Sequence, residues 1–357
     1  MNRFDPSEIR AHPLAERRSL LSADEISVDP NSTPAVTGSA AIISDAAKNI
    51  RAARERGAAV ILMYGAHLLR NGAARIVTEL MERGWITHIA TNGAGTIHDW
   101  EFAWLGRSCE SVEENAANGT FGTWDETGRN IHLALLAGGL RGEGYGAALG
   151  RFIHEDGCTF PGPDVLREAL THPDESAPAQ AELLTVMKRH AIAAGRHEVV
   201  HNWKHASILA QAFRLGVPAT VHPGIGYDIV SCHPLFNGAA IGRAAATDFH
   251  SICGSVDRLD GGVLLSVGSA IMAPQVFEKS LSCVHNVNAV PGNCGPIILK
   301  AHVMHAAQAL FKNLRSHDRR AHREQHPAIE PIHTRADRVK IRRRRAPDRR
   351  TVEQRMA

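Results

Sequence analysis

Trp85-Ile86-Thr87-His88-Ile89-Ala90 runs directly into Thr91-Asn92-Gly93-Ala94-Gly95. The apolar, partly β-branched run predicts a buried strand, and the Gly-x-Gly after it predicts a tight loop at the strand's carboxyl end. Glycines there let the backbone approach a ligand, and exposed N–H groups can meet phosphate oxygens. In open α/β sheets, ligands sit at that end of the strands. A plain strand-to-helix turn is the competing reading of the same residues.

Outward from this point the chain alternates. Residues 44–56 read as a helix, with Ser44 and Asp45 at its N-terminus. Ala58–Met63 is an apolar run suited to a buried strand, and Ala66–Arg83 has helical spacing up to Gly84. Residues 98–175 are mostly helical by pattern with glycine breaks, and 177–194 form an amphipathic helix. A helix at 206–215 precedes a strand at 217–221, which leads into His222-Pro223-Gly224-Ile225-Gly226-Tyr227-Asp228. A helix at 241–256, a strand at 262–267 ending in Gly268-Ser269-Ala270, and a helix at 274–284 follow. This order predicts an α/β fold: a doubly wound, mostly parallel sheet with helices on both faces, over residues 41–310. Residues 1–40 read as an irregular N-terminal segment.

Bulk properties narrow the class. The chain has 357 residues, 44% of them hydrophobic, and no run approaches the ~20 apolar residues of a membrane span. The N-terminus lacks the basic-then-apolar order of a signal peptide. Six cysteines are widely spread with no Cys-x-x-Cys pair, which fits reduced thiols in a cytoplasmic protein. The net charge of +3 hides an asymmetry: residues 311–357 carry 15 Lys and Arg against 6 Asp and Glu, so the rest is mildly acidic. That basic tail, with Arg342-Arg343-Arg344-Arg345 and few apolar residues, is expected to be disordered. It is the one segment through which nucleic acid could bind, by its phosphates, since no aromatic residue interleaves the arginines.

Several motifs compete for chemistry. Tyr64-Gly65-Ala66-His67, Thr91 to Gly95, the 222–228 loop and Gly268-Ser269-Ala270 all end strands, so a parallel sheet lines them along one crevice. None is a Gly-x-Gly-x-x-Gly dinucleotide fingerprint. His197-Glu198-Val199-Val200-His201 is a literal His-Glu-x-x-His, which on a helix would turn two imidazoles toward one zinc. No third ligand is apparent, so a zinc peptidase is the remote alternative and surface or packed histidines the default. Cys232 beside His233 suggests a nucleophile, yet adjacent residues seldom orient one another, and Gly-x-Ser-x-Gly is absent. His98, Asp99 and Glu101 follow the Gly-x-Gly directly. At a nucleotide site His98 and Asp99 are the candidates for proton transfer, and the bland reading makes Asp99 a helix N-terminal acid.

Ile61 through Gly72 followed by Thr91–Gly95, Ser207–Gln211 through Val217-Pro218 into Gly224-Ile225-Gly226-Tyr227-Asp228, and Gly262–Ala270 together resemble three blocks of deoxyhypusine synthase. The blocks keep the family's order and similar spacing over about 60–280. The resemblance implies a homotetrameric α/β fold that binds NAD near subunit interfaces. By it, Ala66 and His67 match a cofactor-contacting Ser-Asn pair, and Thr91, Asn92, Gly93, Ala94 and Gly95 match a Thr-Thr-Ala-Gly-Gly loop. Asp228 matches the Asp after the second block's turn, and Gly268, Ser269 and Ala270 match a Gly run. The departures lie in the substrate half. Met272-Ala273-Pro274-Gln275 stands where the family has a histidine pair, Ile97 and His98 replace two glutamates, and Lys300 to Lys312 offers no matching context for the imine-forming lysine. The expectation is a deoxyhypusine synthase-like, NAD-dependent enzyme acting on an amine or related small substrate by dehydrogenation, with a reaction other than deoxyhypusine synthesis. A non-catalytic NAD- or nucleic-acid-binding protein of the same fold is the alternative.

Overall fold

The computed structural model describes residues 4–32 and 40–288, together with the backbone of 302–305. The charged tail, and with it the expectations of disorder and nucleic-acid binding, lies outside the described residues. The centre is a five-stranded sheet. Its strands are β1 (Val60–Tyr64), β2 (His88–Asn92), β3 (Ala219–His222), β4 (Val263–Val267) and β5 (His302–His305). They lie in the order β3-β2-β1-β4-β5, and every pair is parallel. The chain thus builds outward from β1 in one direction and then restarts on β1's other side. The ends are in register: Tyr64 pairs with Thr91 and Val267, and Asn92 with His222.

Every residue of β1 is buried, as a central parallel strand covered on both faces requires. Its side chains alternate between two layers. Ile61 and Met63 join Ile252, Val256, Met272 and Val284 from helices α9 (Gly238–Asp257) and α10 (Met272–Asn288). Leu62 and Tyr64 join the larger core. That core is filled by α3 (Ala74–Glu82), α4 (Gly93–Leu105), α5 (Asp125–Gly139), α6 (Tyr145–His154), α7 (Ala177–His190) and α8 (Ile208–Leu215). Most of those helices come from the long stretch between β2 and β3. Helix α1 (Ala40–Glu55) covers the amino end of β1 and β4 through Ile50 and Ala53.

Two sequence expectations change. The helix expected over Ala66–Arg83 is two, α2 (Ala66–Arg70) and α3, interrupted where the Gly72 carbonyl accepts the Val28 N–H at 3.0 Å. The N-terminal segment docks on that break, and Leu21–Ser22 pairs antiparallel with Arg107–Ser108. The Thr91–Gly95 loop is not a loop. Thr91 and Asn92 are ladder residues of β2, and α4 starts at Gly93 with Asn92 as its N-cap. Among the described residues no helix is long and apolar enough to cross a membrane.

Candidate functional site

The strand order reverses between β1 and β4, and the carboxyl edge there is built from glycine contacts. A Cβ on Gly65 would lie 2.1 Å from the Gly268 carbonyl oxygen, so the two strand exits touch backbone to backbone. Ala66 is half-buried and His67 exposed at the start of α2. On the other side Ser269 is buried, its hydroxyl accepting the Ala273 N–H at 3.1 Å over the first turn of α10, and Ala270 is exposed.

The exit of β2 adjoins that of β1. Thr91 is fully buried and its hydroxyl donates to the Tyr64 carbonyl at 3.0 Å, tying the two strand ends together. Asn92 Oδ1 accepts the Gly95 N–H at 2.9 Å. Asp228, brought in from the loop after β3, lies over Gly93: a Cβ there would sit 2.1 Å from Asp228 Oδ2. That carboxylate accepts the Gly224 N–H at 2.7 Å and an N–H bond from Ala94. Its Oδ1 is buried without a partner. Burial raises the Asp228 carboxyl to about 6, against the opposing pull of its two N–H donors. The expected phosphate cradle is therefore corrected in one respect. The Ala94 and Gly95 N–H groups are already bonded to Asp228 and Asn92, so the unpaired polar atom at this strand end is an acceptor, the buried Asp228 Oδ1.

His98 and Asp99, adjacent in sequence, part company. Asp99 is fully buried and far from being an N-terminal acid of α4. Its carboxylate accepts the Ser207 hydroxyl, the Ile208 N–H at 2.7 Å and the Leu209 N–H at 3.4 Å, capping α8. Burial lifts it to about 7, countered by those bonds. Enclosed and committed to α8, it has no opening toward a substrate. Asp248 does the same for α6, accepting the Gly146 and Val221 N–H groups at 2.9 and 2.6 Å.

His98 belongs to a buried polar relay. Arg17 and Glu101 form a two-pronged ion pair, both N–O distances 2.8 Å, with both side chains buried. Ser108 donates its one hydroxyl proton to Glu101 Oε2 at 2.5 Å. Ser108 Oγ lies 2.7 Å from His98 Nδ1, so it accepts from an Nδ1–H. This fixes the tautomer and leaves the imidazole lone pair on Nε2. Burial drives His98 down to about 4, the nearby Arg70, Arg17 and His67 pushing the same way and Glu101 opposing, so the ring is neutral at physiological pH. Cys109 Sγ is 3.7 Å from His98 Nδ1, on a backbone held at φ +69°. Burial pushes that thiol up although Arg70 bonds it. Arg17, Arg70, Ser108 and Cys109 escaped the sequence reading, since nothing local marks Arg17 as a partner of a residue 84 positions on.

The remaining motifs resolve into structure. His197 and Glu198 lie on a strand (Gly195–Glu198) paired with Gly157–Phe160, where successive side chains point to opposite faces. His201 is buried with its ring edge-on to Trp100 and Phe152. Among the described residues no three His, Cys, Asp or Glu side chains cluster as metal ligands. The zinc peptidase reading loses the helical geometry it needs. His233 Nε2 bonds Asp125 at 3.2 Å rather than serving Cys232, whose thiol burial raises.

No family model and no curated protein matches the chain. Among solved structures, the ternary complex of AgrE with ornithine and NAD+ aligns at 11% identity and TM-score 0.34, over 77% of this chain and 33% of AgrE. ArgZ, an arginine dihydrolase from the cyanobacterial ornithine-ammonia cycle, aligns at 10% and 0.33, over 71% of this chain and 33% of ArgZ. A putative LOR/SDH protein from Methanococcus maripaludis S2 aligns at 12% and 0.36, over 82% of this chain and 74% of that protein. The chain thus spans about a third of the AgrE and ArgZ chains. These likenesses are distant.

Proposed function

We propose that the chain is an NAD-dependent enzyme of the deoxyhypusine synthase-like group that dehydrogenates a small amine or alcohol, with group transfer as the second half of its reaction. The observation that carries this reading is Asp228 Oδ1: a buried carboxylate oxygen without a partner, at the carboxyl edge of a doubly wound sheet. Such an acceptor suits a ribose hydroxyl of a nucleotide, and the close-packed Gly65 and Gly268 leave backbone exposed to a ligand at the neighbouring exits of β1 and β4 on the same edge. The residues that would hold NAD are Ala66, His67, Thr91 to Gly95, Asp228 and Gly268 to Ala270. Bound NAD would supply the hydride acceptor.

The chain's own contribution is proton handling. His98 Nε2, neutral and with its tautomer fixed by Ser108, Glu101 and Arg17, takes the proton from the substrate's amine or hydroxyl. Asp99 serves as a positioning residue, anchoring α8 to α4. Ile225, Tyr227 and Ile271 are exposed apolar side chains in the loops of the same edge, which supports a homo-oligomer that covers it.

Isothermal titration of NAD+ into the wild-type chain and Asp228→Asn tests the reading. Binding by the wild type, weakened about tenfold in the variant, is expected, equivalent to loss of one good polar contact of about 1.4 kcal/mol. No binding of NAD+ or NADH at millimolar concentration sinks it. Once a substrate is found, His98→Gln should lower kcat by roughly 10²–10⁴ while leaving NAD+ affinity unchanged.

A further inference from the structure

Between the last turn of α4, one face of α5 and the Gly195–Glu198 strand lies a cavity of about 500 Å³, within the size range of small-molecule sites. It is separate from the carboxyl edge of the sheet. Trp104, which lines it, is eleven residues along α4 from Gly93, about 16 Å down the axis at the usual helical rise. Glu126, Arg129, Asn130 and Leu133 line it as a single stripe of α5, and His197 faces it from the strand.

Asn130 decides the reading. It is 3% exposed, yet its carboxamide forms no hydrogen bond with the protein. Buried polar side chains are nearly always bonded, and one that lines a cavity without a protein partner marks a place for a ligand. Trp104 supplies a flat apolar surface beside it. Its indole stacks on Trp100, with centroids 5.2 Å and planes 19° apart, so one face of the ring is backed and its plane is held. The other polar atoms of the lining that remain without partners are acceptors. Glu126 Oε2 takes the Leu14 N–H at 2.7 Å, and Oε1 is left over. His197 donates its Nε2–H to the Ala193 carbonyl at 2.8 Å, which leaves the lone pair on Nδ1.

We propose that this cavity is a second nucleotide site, apart from the proposed NAD site, that takes the base of an adenine nucleotide. The ring system stacks on Trp104. A ring nitrogen accepts from the Asn130 Nδ2–H while the amino group donates to Asn130 Oδ1, the two-pronged pairing that suits a carboxamide and adenine. The second amino hydrogen meets the acceptors Glu126 Oε1 and His197 Nδ1. A base with a carbonyl in place of the amino group would instead set an oxygen among these acceptors. Arg129 is exposed at the rim and pairs with Asp125 at 3.1 Å. Exposed pairs of that kind are weak, so its guanidinium is free to turn to the phosphate.

Isothermal titration of 2′,3′-dideoxyadenosine 5′-monophosphate into the full-length chain tests this. The probe lacks both ribose hydroxyls and so offers Asp228 nothing to bond, which keeps its outcome independent of the NAD reading. Binding is expected, about tenfold tighter than that of 2′,3′-dideoxyinosine 5′-monophosphate, and unchanged in Asp228→Asn. Asn130→Leu, similar in volume and unable to hydrogen-bond, should weaken the adenine probe about tenfold, and Trp104→Leu should do the same through lost stacking. Circular dichroism checks that each is folded, and the comparison of the two bases in the wild type needs no variant at all. Arg129→Gln, an exposed change, should weaken the monophosphate about threefold and leave 2′,3′-dideoxyadenosine unaffected. The proposal is overturned if neither monophosphate binds at millimolar concentration, if the two bind equally, or if folded Asn130→Leu binds the adenine probe as the wild type does. Loss of the adenine probe in Asp228→Asn would put it at the carboxyl edge and overturn the proposal as well.

Discussion

Asp99 and Asp228 are both buried carboxylates set against the start of a helix that another part of the chain supplies, yet they differ in one atom. Asp99 spends both oxygens on the start of α8, through Ser207, Ile208 and Leu209. Asp228 spends one on Gly224, reaches Ala94 at the start of α4, and leaves Oδ1 buried with nothing bonded to it. The electrostatics are alike, since burial raises both, to about 7 and about 6. What separates the structural brace from the proposed binding residue is hydrogen-bond completeness. A satisfied buried carboxylate stabilises the fold it closes, whereas an unsatisfied one costs free energy until something bonds it.

The comparison breaks most readily at Asp99. Asp99→Ala leaves the Ser207 hydroxyl and two α8 N–H groups buried without an acceptor, and should cost about 3 kcal/mol or more in urea denaturation. NAD+ affinity of the fraction that remains folded should be unchanged. If Asp99→Ala leaves the urea midpoint in place but abolishes turnover, Asp99 is catalytic after all and the assignment of a bracing role is wrong.

Gly93→Ala attacks the other carboxylate sterically. The new Cβ would press on Asp228 Oδ2 at 2.1 Å, and the carboxylate must move off the start of α4. A stability loss of about 2 kcal/mol is expected, together with loss of NAD+ binding. Asp228→Asn, which keeps the volume and cannot ionise, separates the two effects: it removes the cost of a buried charge and should not destabilise the fold at neutral pH. Its NAD+ affinity should still fall about tenfold. Equal affinity in Asp228→Asn and wild type would show that Oδ1 is not the recognition atom.

How much of this was legible before the structure follows from the reach of each interaction. The apolar runs at 58–63, 217–221 and 262–267 found β1, β3 and β4 to within two residues, because buried parallel strands are apolar on both faces. The strand order was not legible, since pairing of β1 with β4 joins residues some 200 positions apart and leaves no local trace. Thr91 and Asn92 read as turn residues because their chemistry suits turns. In the fold Thr91 bonds the neighbouring strand and Asn92 caps a helix, two uses that share those preferences. The His-Glu-x-x-His match fails because its zinc meaning presupposes a helix, and the antiparallel Gly195–Glu198 strand denies that. Asp99 was named for its position after Gly-x-Gly, although its partner, Ser207, enters 108 residues later.

The smallest effect is also the sharpest test of Asp228, because ligand binding and stability should respond to pH in opposite directions. Its carboxyl titrates near 6 in the folded chain against 3.8 when solvated, so the folded chain holds the proton more tightly. Raising the pH from about 4 to about 6 therefore costs stability at this site, and above about 6 the cost is constant. An acceptor for a ribose hydroxyl must be the carboxylate, so NAD+ affinity should instead fall as the pH drops through 6, by roughly fourfold at pH 5.5. The fold as a whole carries an opposing acid sensitivity. His88 is held neutral down to about 3, and His98, His132, His201 and His222 down to about 4, and protonating them favours unfolding. The measurement is accordingly a difference, wild type minus Asp228→Asn, in calorimetric affinity and in denaturation midpoint across pH 5 to 8. Asparagine cannot titrate there, so both differences should bend near pH 6 and in opposite senses. An affinity difference that stays flat across that range would remove the ionised Oδ1 from nucleotide recognition and leave Asp228 as a third brace beside Asp99 and Asp248.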